Sequence, residues 1–257
     1  MDSAASEKSI IALDNWLQSP AGAYVAAFEQ ACLDELTADI FGFNALQIGV
    51  PQFDALAASR MPNKWQAATR TSNASELAFA PGGRQIAVAV DFAELPFATA
   101  SLDLVVLPHV LEFAAEPHQV LREVERVLIP EGQLIICGFN PASLWGMRQG
   151  VRRVTRSGYL PESGEFISMP RLKDWLKLLN LNVARSHFGC YAPPCRTAHW
   201  LSRFAMMETA GGRWWPYLGA VYVVHAIKRV KGMHIIGPAW NKKTSKRPAA
   251  VPAANRE

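Results

Sequence analysis

The sequence predicts a doubly wound α/β sheet, and three observations carry that prediction. Residues 85–90 and 102–107 are nearly continuous apolar runs, the pattern of parallel strands covered on both faces. Around them lie segments whose apolar residues recur at helical spacing. The two kinds of segment alternate along the chain, as they do where crossover helices cover a sheet. A length of 257 residues suits one such domain with extensions, or at most two small domains.

Taken in order, residues 1–15 read as frayed or weakly helical. Ser19-Pro20 resembles an N-cap followed by proline at the first helical position. Tyr24, Val25, Phe28, Ala31, Cys32, Glu35 and Leu36 then recur at helical spacing, which predicts an amphipathic helix over 20–41, ended by Gly42. A short buried strand is expected at 45–48, a short helix at 52–59 and a weaker strand at 65–69. Pro81-Gly82-Gly83 is a turn, and the third and fourth strands are 85–90 and 102–107. Residues 117–128 form a helix with Val120, Leu121, Val124, Val127 and Leu128 inward and Arg122, Glu123, Glu125 and Arg126 solvated. A Pro130-Glu131-Gly132 turn leads to a fifth strand at 134–138. A helix at 172–179 and strands at 182–188 and 220–228 complete the sheet. The expected organisation is a helical extension over 1–41, the α/β domain over 42–240 and a disordered basic tail over 241–257, too polar to fold.

The formal charge is +4, but the tail carries it: beyond Trp240 stand 5 basic residues and 1 acidic one, leaving 21 of each in the body. A neutral body has no global field to steer it to a polyanion, which disfavours RNA as a partner. The N-terminus lacks the basic and apolar regions of a secretory signal. The longest uncharged apolar stretch near the C-terminus, 218–227, is too short to span a bilayer. Four cysteines without a C-x-x-C predict reduced thiols and a cytoplasmic protein.

Residues 85–141 carry the most specific pattern: strand, Asp91, Leu95-Pro96-Phe97, strand, helix, Pro-Glu-Gly, strand and Asn140-Pro141. This stretch resembles the second half of a class I S-adenosylmethionine-dependent methyltransferase of the type-11 (ubiquinone/menaquinone-like) family. The resemblance extends over 45–228. It implies a Rossmann-like sheet ordered 3-2-1-4-5-7-6 with an antiparallel seventh strand. It also implies S-adenosylmethionine as cofactor and a small or anionic methyl acceptor. It places cofactor contacts at Gln47, Gly49, Asp91, Phe92 and Pro108, with Asp91 accepting from the adenine amino group and Phe92 packing on its face; the competing roles are a turn-forming acid after the strand for Asp91 and core packing for Phe92. Gly49 falls on the first glycine of the family's G-x-G-x-G loop, Pro51 on the second and Phe53 on the third. Gln47 stands where an acid is usual. No acid occurs at 69–71, where the family binds ribose, and Glu76 is the nearest. This degenerate loop sustains an alternative, an inactive pseudo-methyltransferase serving as a binding or regulatory module. A nicotinamide enzyme is disfavoured, because no G-x-G-x-x-G follows a strand.

In such a sheet the ligand crevice opens beyond the strand ends, where the strand order reverses. His109, after Pro108, is expected to face it and to orient substrate or take a proton; the competing role is a hydrogen bond within its loop. Glu112 reads as a solvated or capping residue. Asn140 is the second catalytic candidate, placed to donate to and accept from a substrate or simply to open a turn. Arg148, Arg152 and Arg156 fall at i, i+4 and i+8 in an acid-free segment that also holds Arg153. Arg148 and Arg152 are therefore candidate contacts for an anionic acceptor, against the alternative of a solvated basic face. His187, Cys190, Cys195 and His199 are zinc-ligand types, but His187 and Cys190 would point to opposite faces of a strand, so no metal is expected. The Trp-rich stretch 200–217 is expected to pack as core or lid.

Overall fold

The computed structural model describes residues 13, 15–50, 54–69, 88–150, 160–161, 164–195 and 197–230. Seven strands form one sheet: β1 (Asn44–Ile48), β2 (Asn63–Thr69), β3 (Val88–Val90), β4 (Leu102–Pro108), β5 (Leu128–Phe139), β6 (Leu181–Gly189) and β7 (Val221–Lys228). Their order is β3-β2-β1-β4-β5-β7-β6, with β7 antiparallel to both neighbours, as the resemblance implied. Among the described residues the helices with defined bounds are α1 (Pro20–Ala38), α2 (Pro117–Val127), α3 (Leu144–Gly150), α4 (Met169–Leu178), α5 (Ala198–Arg203) and α6 (Met206–Trp214).

Strand periodicity divides the core into two layers. Leu46, Ile48, Val105, Leu107, Leu134 and Ile136 point to one side and pack with Val120, Leu121 and Val124 of α2 and Leu172 and Leu176 of α4. Their alternates Ala45, Leu104, Val106, Ile135, Cys137 and Phe139 point to the other side and meet Val25, Leu33 and Leu36 of α1. Helix α1 thus belongs to one of the two layers covering the sheet. Ser19 caps it, its hydroxyl accepting from the Gly22 N–H at 3.1 Å. It ends at Ala38, short of Gly42.

Three local expectations change. Residues 54–60 are turns and bends, with no helix among the described residues there. The Pro-Glu-Gly motif is not a separate turn. It is a bulge inside β5, where the register jumps from Leu102↔Leu128 to Leu104↔Gln133 and Glu131 takes a positive φ of 63°. Glu123 and Arg126 are not merely solvated. Arg126 donates to the carbonyls of Leu95 and Phe97 and to Glu123, whose carboxylate accepts from the Leu95 N–H. This clamp holds the Leu-Pro-Phe loop against α2. Residues 1–12, the Pro81–Gly83 turn and the tail lie outside the described residues.

Candidate functional site

The strand order reverses between β1 and β4, so the crevice opens beyond Ile48 and Pro108. Gly49 follows Ile48 with φ of 90°, a left-handed value that disfavours any side chain. A Cβ placed there would lie 2.6 Å from Val110 Cγ2 and 3.6 Å from the Pro108 carbonyl oxygen. The chain after β1 therefore lies directly against the chain after β4, with the Val110 side chain filling the place a Cβ would take. Pro108 is buried against that junction.

Gln47 is 1% exposed and serves the loop. Its Oε1 accepts from the Ala55 N–H at 2.9 Å and its Nε2 donates to the Val50 carbonyl at 3.1 Å. An amide can bridge a donor and an acceptor in this way, whereas the acid usual at this position has no hydrogen to give. Pro51 and Phe53 lie between those anchors but outside the described residues, as do residues 70–76 with Glu76.

On the other flank Asp91 is exposed at the end of β3, and its Oδ1 accepts from the Ala93 N–H at 3.0 Å. The side chain is solvent-exposed at the carboxyl edge of the sheet. Phe92 is buried in the layer that includes Leu95, Val105 and Leu107, the core packing that was the alternative to an adenine contact.

The two catalytic candidates are committed elsewhere. His109 takes φ of 52° and turns inward rather than facing the crevice, leaving 2% exposed. Its Nε2 is 2.8 Å from Glu29 Oε1 and its Nδ1 is 2.9 Å from Glu112 Oε2. Burial alone would lower the imidazole pKa, but the two carboxylates outweigh it and raise it to about 10. With a carboxylate against each nitrogen, His109 is held as an imidazolium that donates to both. Glu112 is buried, not solvated, and its second oxygen accepts from the Phe139 N–H. Burial raises the Glu112 pKa while His109 opposes that shift. Asn140 is likewise structural. It donates to the Tyr217 and Gly219 carbonyls and accepts from the Ala142 N–H, tying the end of β5 to the entry of β7.

Arg148 is exposed on α3 and donates to the Pro194 carbonyl at 2.7 Å. Helix α3 is described as far as Gly150, and Arg152, Arg153 and Arg156 lie outside the described residues. No group of three or more His, Cys, Asp or Glu among the described residues is arranged to hold a metal ion. The Trp-rich stretch forms the α5–α6 hairpin, and its aromatics are largely exposed instead of packed in the core.

Sequence reasoning missed Glu29, the second carboxylate on His109. The signal was present: Val25, Glu29, Leu33 and Leu36 share the buried stripe of α1, and an acid in such a stripe requires a partner.

Comparisons with known proteins agree with this geometry. The methyltransferase domain family of type 11 matches residues 51–136. Uncharacterized protein YafS of Escherichia coli strain K12 is 31% identical over 180 residues, 68% of each chain. A solved S-adenosylmethionine-dependent methyltransferase of Thermotoga maritima, described as a possible histamine N-methyltransferase, superposes with a TM-score of 0.57 at 15% identity. That match covers 80% of this chain and 92% of the other. A putative methyltransferase of Haloferax volcanii, solved with its Trm112 activator, also gives 0.57, at 16% identity over 85% and 98% of the two chains. The structural likenesses speak to the fold, and no helix among the described residues is long and apolar enough to cross a membrane. Sequence kinship, the domain match and the 3-2-1-4-5-7-6 sheet place the chain in the class I S-adenosylmethionine-dependent methyltransferase family, type 11.

Proposed function

We propose that this chain transfers the methyl group of S-adenosylmethionine to a small or anionic acceptor at the carboxyl edge of the sheet. The observation that carries the reading is Gly49, left-handed and backed only by backbone and Val110 at the reversal point of the strand order. The cofactor, when bound, supplies a methyl group already activated by its sulfonium. Gly49 would admit it close to the backbone, and Asp91 would accept a hydrogen bond from the adenine end. Arg148, with Arg152 further along, would meet a phosphate or carboxylate on the acceptor.

The commitment of His109 and Asn140 supports a mechanism that rests on placement. Holding the acceptor in line with the methyl group removes about 7–11 kcal/mol of barrier without a proton-transfer residue. An acceptor whose nucleophilic atom is already unprotonated near neutrality suits such a site.

Isothermal titration with S-adenosylhomocysteine tests the proposal. Wild type should bind, and Asp91→Ala should weaken binding by about 1–3 kcal/mol, the cost of losing a hydrogen bond to a charged group. Absence of binding heat at millimolar ligand would refute the reading and leave a scaffold without cofactor.

A further inference from the structure

The α5–α6 hairpin follows β6, α3 follows β5, and the 215–220 segment leads into β7. Because β7 is antiparallel to β5 and β6, all three segments gather on the same carboxyl edge as the crevice. Asn140 bonds the Tyr217 carbonyl and Arg148 bonds the Pro194 carbonyl, which join them into one surface. That surface exposes Met147, Trp200, Met206, Trp214, Trp215 and Tyr217, with Met206 76% and Trp214 72% accessible. Apolar groups of this size, exposed together, mark an interaction face.

The charges on this face identify the partner. Arg148, Arg203 and Arg213 are exposed among the aromatics, with Arg203 lying 5.8 Å over the Trp200 ring. Between Gly189 and Lys228 the single acidic residue is Glu208. Its carboxylate turns inward and accepts from the Tyr24 hydroxyl and the Cys190 and Tyr191 N–H groups. The described hairpin and α3 thus present tryptophan, tyrosine, methionine and arginine with no exposed carboxylate. Trp and Tyr seat at a lipid–water boundary, and arginines draw toward anionic headgroups. A second copy would set these cations against their own kind. Phe41 and Phe43, also exposed, precede β1 and so belong to the opposite edge.

We infer that the face formed by α3, α5, α6 and residues 215–218 docks on an anionic phospholipid surface, with the crevice mouth beside the bilayer. On the methyl-transfer reading proposed above, the acceptor would then be a membrane-dissolved amphiphile. Docking itself does not depend on that reading.

The test is sedimentation of the full chain with phosphatidylcholine vesicles, with and without phosphatidylglycerol, alongside tryptophan emission. The chain should sediment with the anionic vesicles and shift its emission to the blue. Trp214→Ser with Trp215→Ser should lower the partition by at least about tenfold, because binding scales with buried apolar area. The same variant should keep its melting temperature and its S-adenosylhomocysteine affinity, so failure of docking and failure of cofactor binding remain separable. Neutralising Lys242, Lys243, Lys246 and Arg247 to glutamine should leave most of the partition in place. The inference is overturned by no sedimentation, or by binding that survives the Trp changes and vanishes with the tail charges. It is also overturned by a dimer, or by retention of RNA, that the same Trp changes abolish.

Discussion

Replacing His109 by glutamine removes the cation from a buried array in which Glu29 and Glu112 approach opposite sides of one ring. In wild type the imidazolium bonds both carboxylates, at 2.8 and 2.9 Å, and all three side chains are almost wholly buried. Glutamine leaves two carboxylates facing each other without a compensating charge. Breaking a buried pair by removing one partner costs about 3–5 kcal/mol. For a chain this long that is a fall in melting temperature of roughly 6–20 °C, at about 2–4 °C per kcal/mol. The pH dependence makes the reasoning sharper. His109 has a folded pKa of about 10, above its ordinary 6.5. Its contribution is therefore fully present below pH 6.5 and is lost as pH rises through about 10. Wild type should lose stability across that alkaline window, and His109→Gln should lack that loss. Burial already raises the Glu112 pKa, and the variant removes the cation that opposes that shift, so its deficit should shrink as pH falls below neutrality. Circular-dichroism melts and urea titrations from acid to alkaline pH measure all of this. A neutral-pH deficit below about 0.5 kcal/mol, the range of ordinary surface substitutions, would refute the argument. So would an alkaline loss that persists unchanged in the variant.

Two further substitutions probe the neighbouring elements. Gly49→Ala forces a side chain into φ of 90° and against Val110 Cγ2, so it should cost about 1–3 kcal/mol of stability by melting. It should also weaken S-adenosylhomocysteine in titration; unchanged affinity would move the cofactor away from this loop. Glu208→Gln replaces a carboxylate that accepts from Tyr24 and two backbone N–H groups, and should cost about 1.5–3 kcal/mol. Hydrogen exchange should show the α5–α6 hairpin opening first, and uniform loss of protection across the sheet would contradict that local role.

Much of the fold was legible because its signals are local. The apolar run 102–107 became β4, and the inward stripe of Val120, Leu121, Val124 and Val127 became the buried face of α2. The candidate site was less legible. His109 at the end of β4 was found by its position, but its function depends on Glu29, 80 residues earlier. Glu112 looks solvated in sequence because acids usually are, and only the β5 backbone N–H of Phe139 and the His109 ring explain its burial. Glu123 and Arg126 have the spacing of an ordinary surface pair, yet they anchor the Leu95–Phe97 loop.

By itself the sequence determined the layered α/β class, the succession of the strands with α1, α2 and α4, and the resemblance that implied the strand order. Hydrophobic periodicity and turn residues act over a few positions and need no knowledge of what lies across the sheet. The tertiary structure decided which polar groups remain open to a ligand. It turned His109 and Asn140 inward, spent Gln47 on its own loop, and left Asp91 exposed and Gly49 in a left-handed conformation at the crevice. It also turned the Trp-rich hairpin outward and its one acid inward. Such choices depend on partners far apart in the chain, because a buried charge or amide survives only where the fold delivers its complement within hydrogen-bond reach.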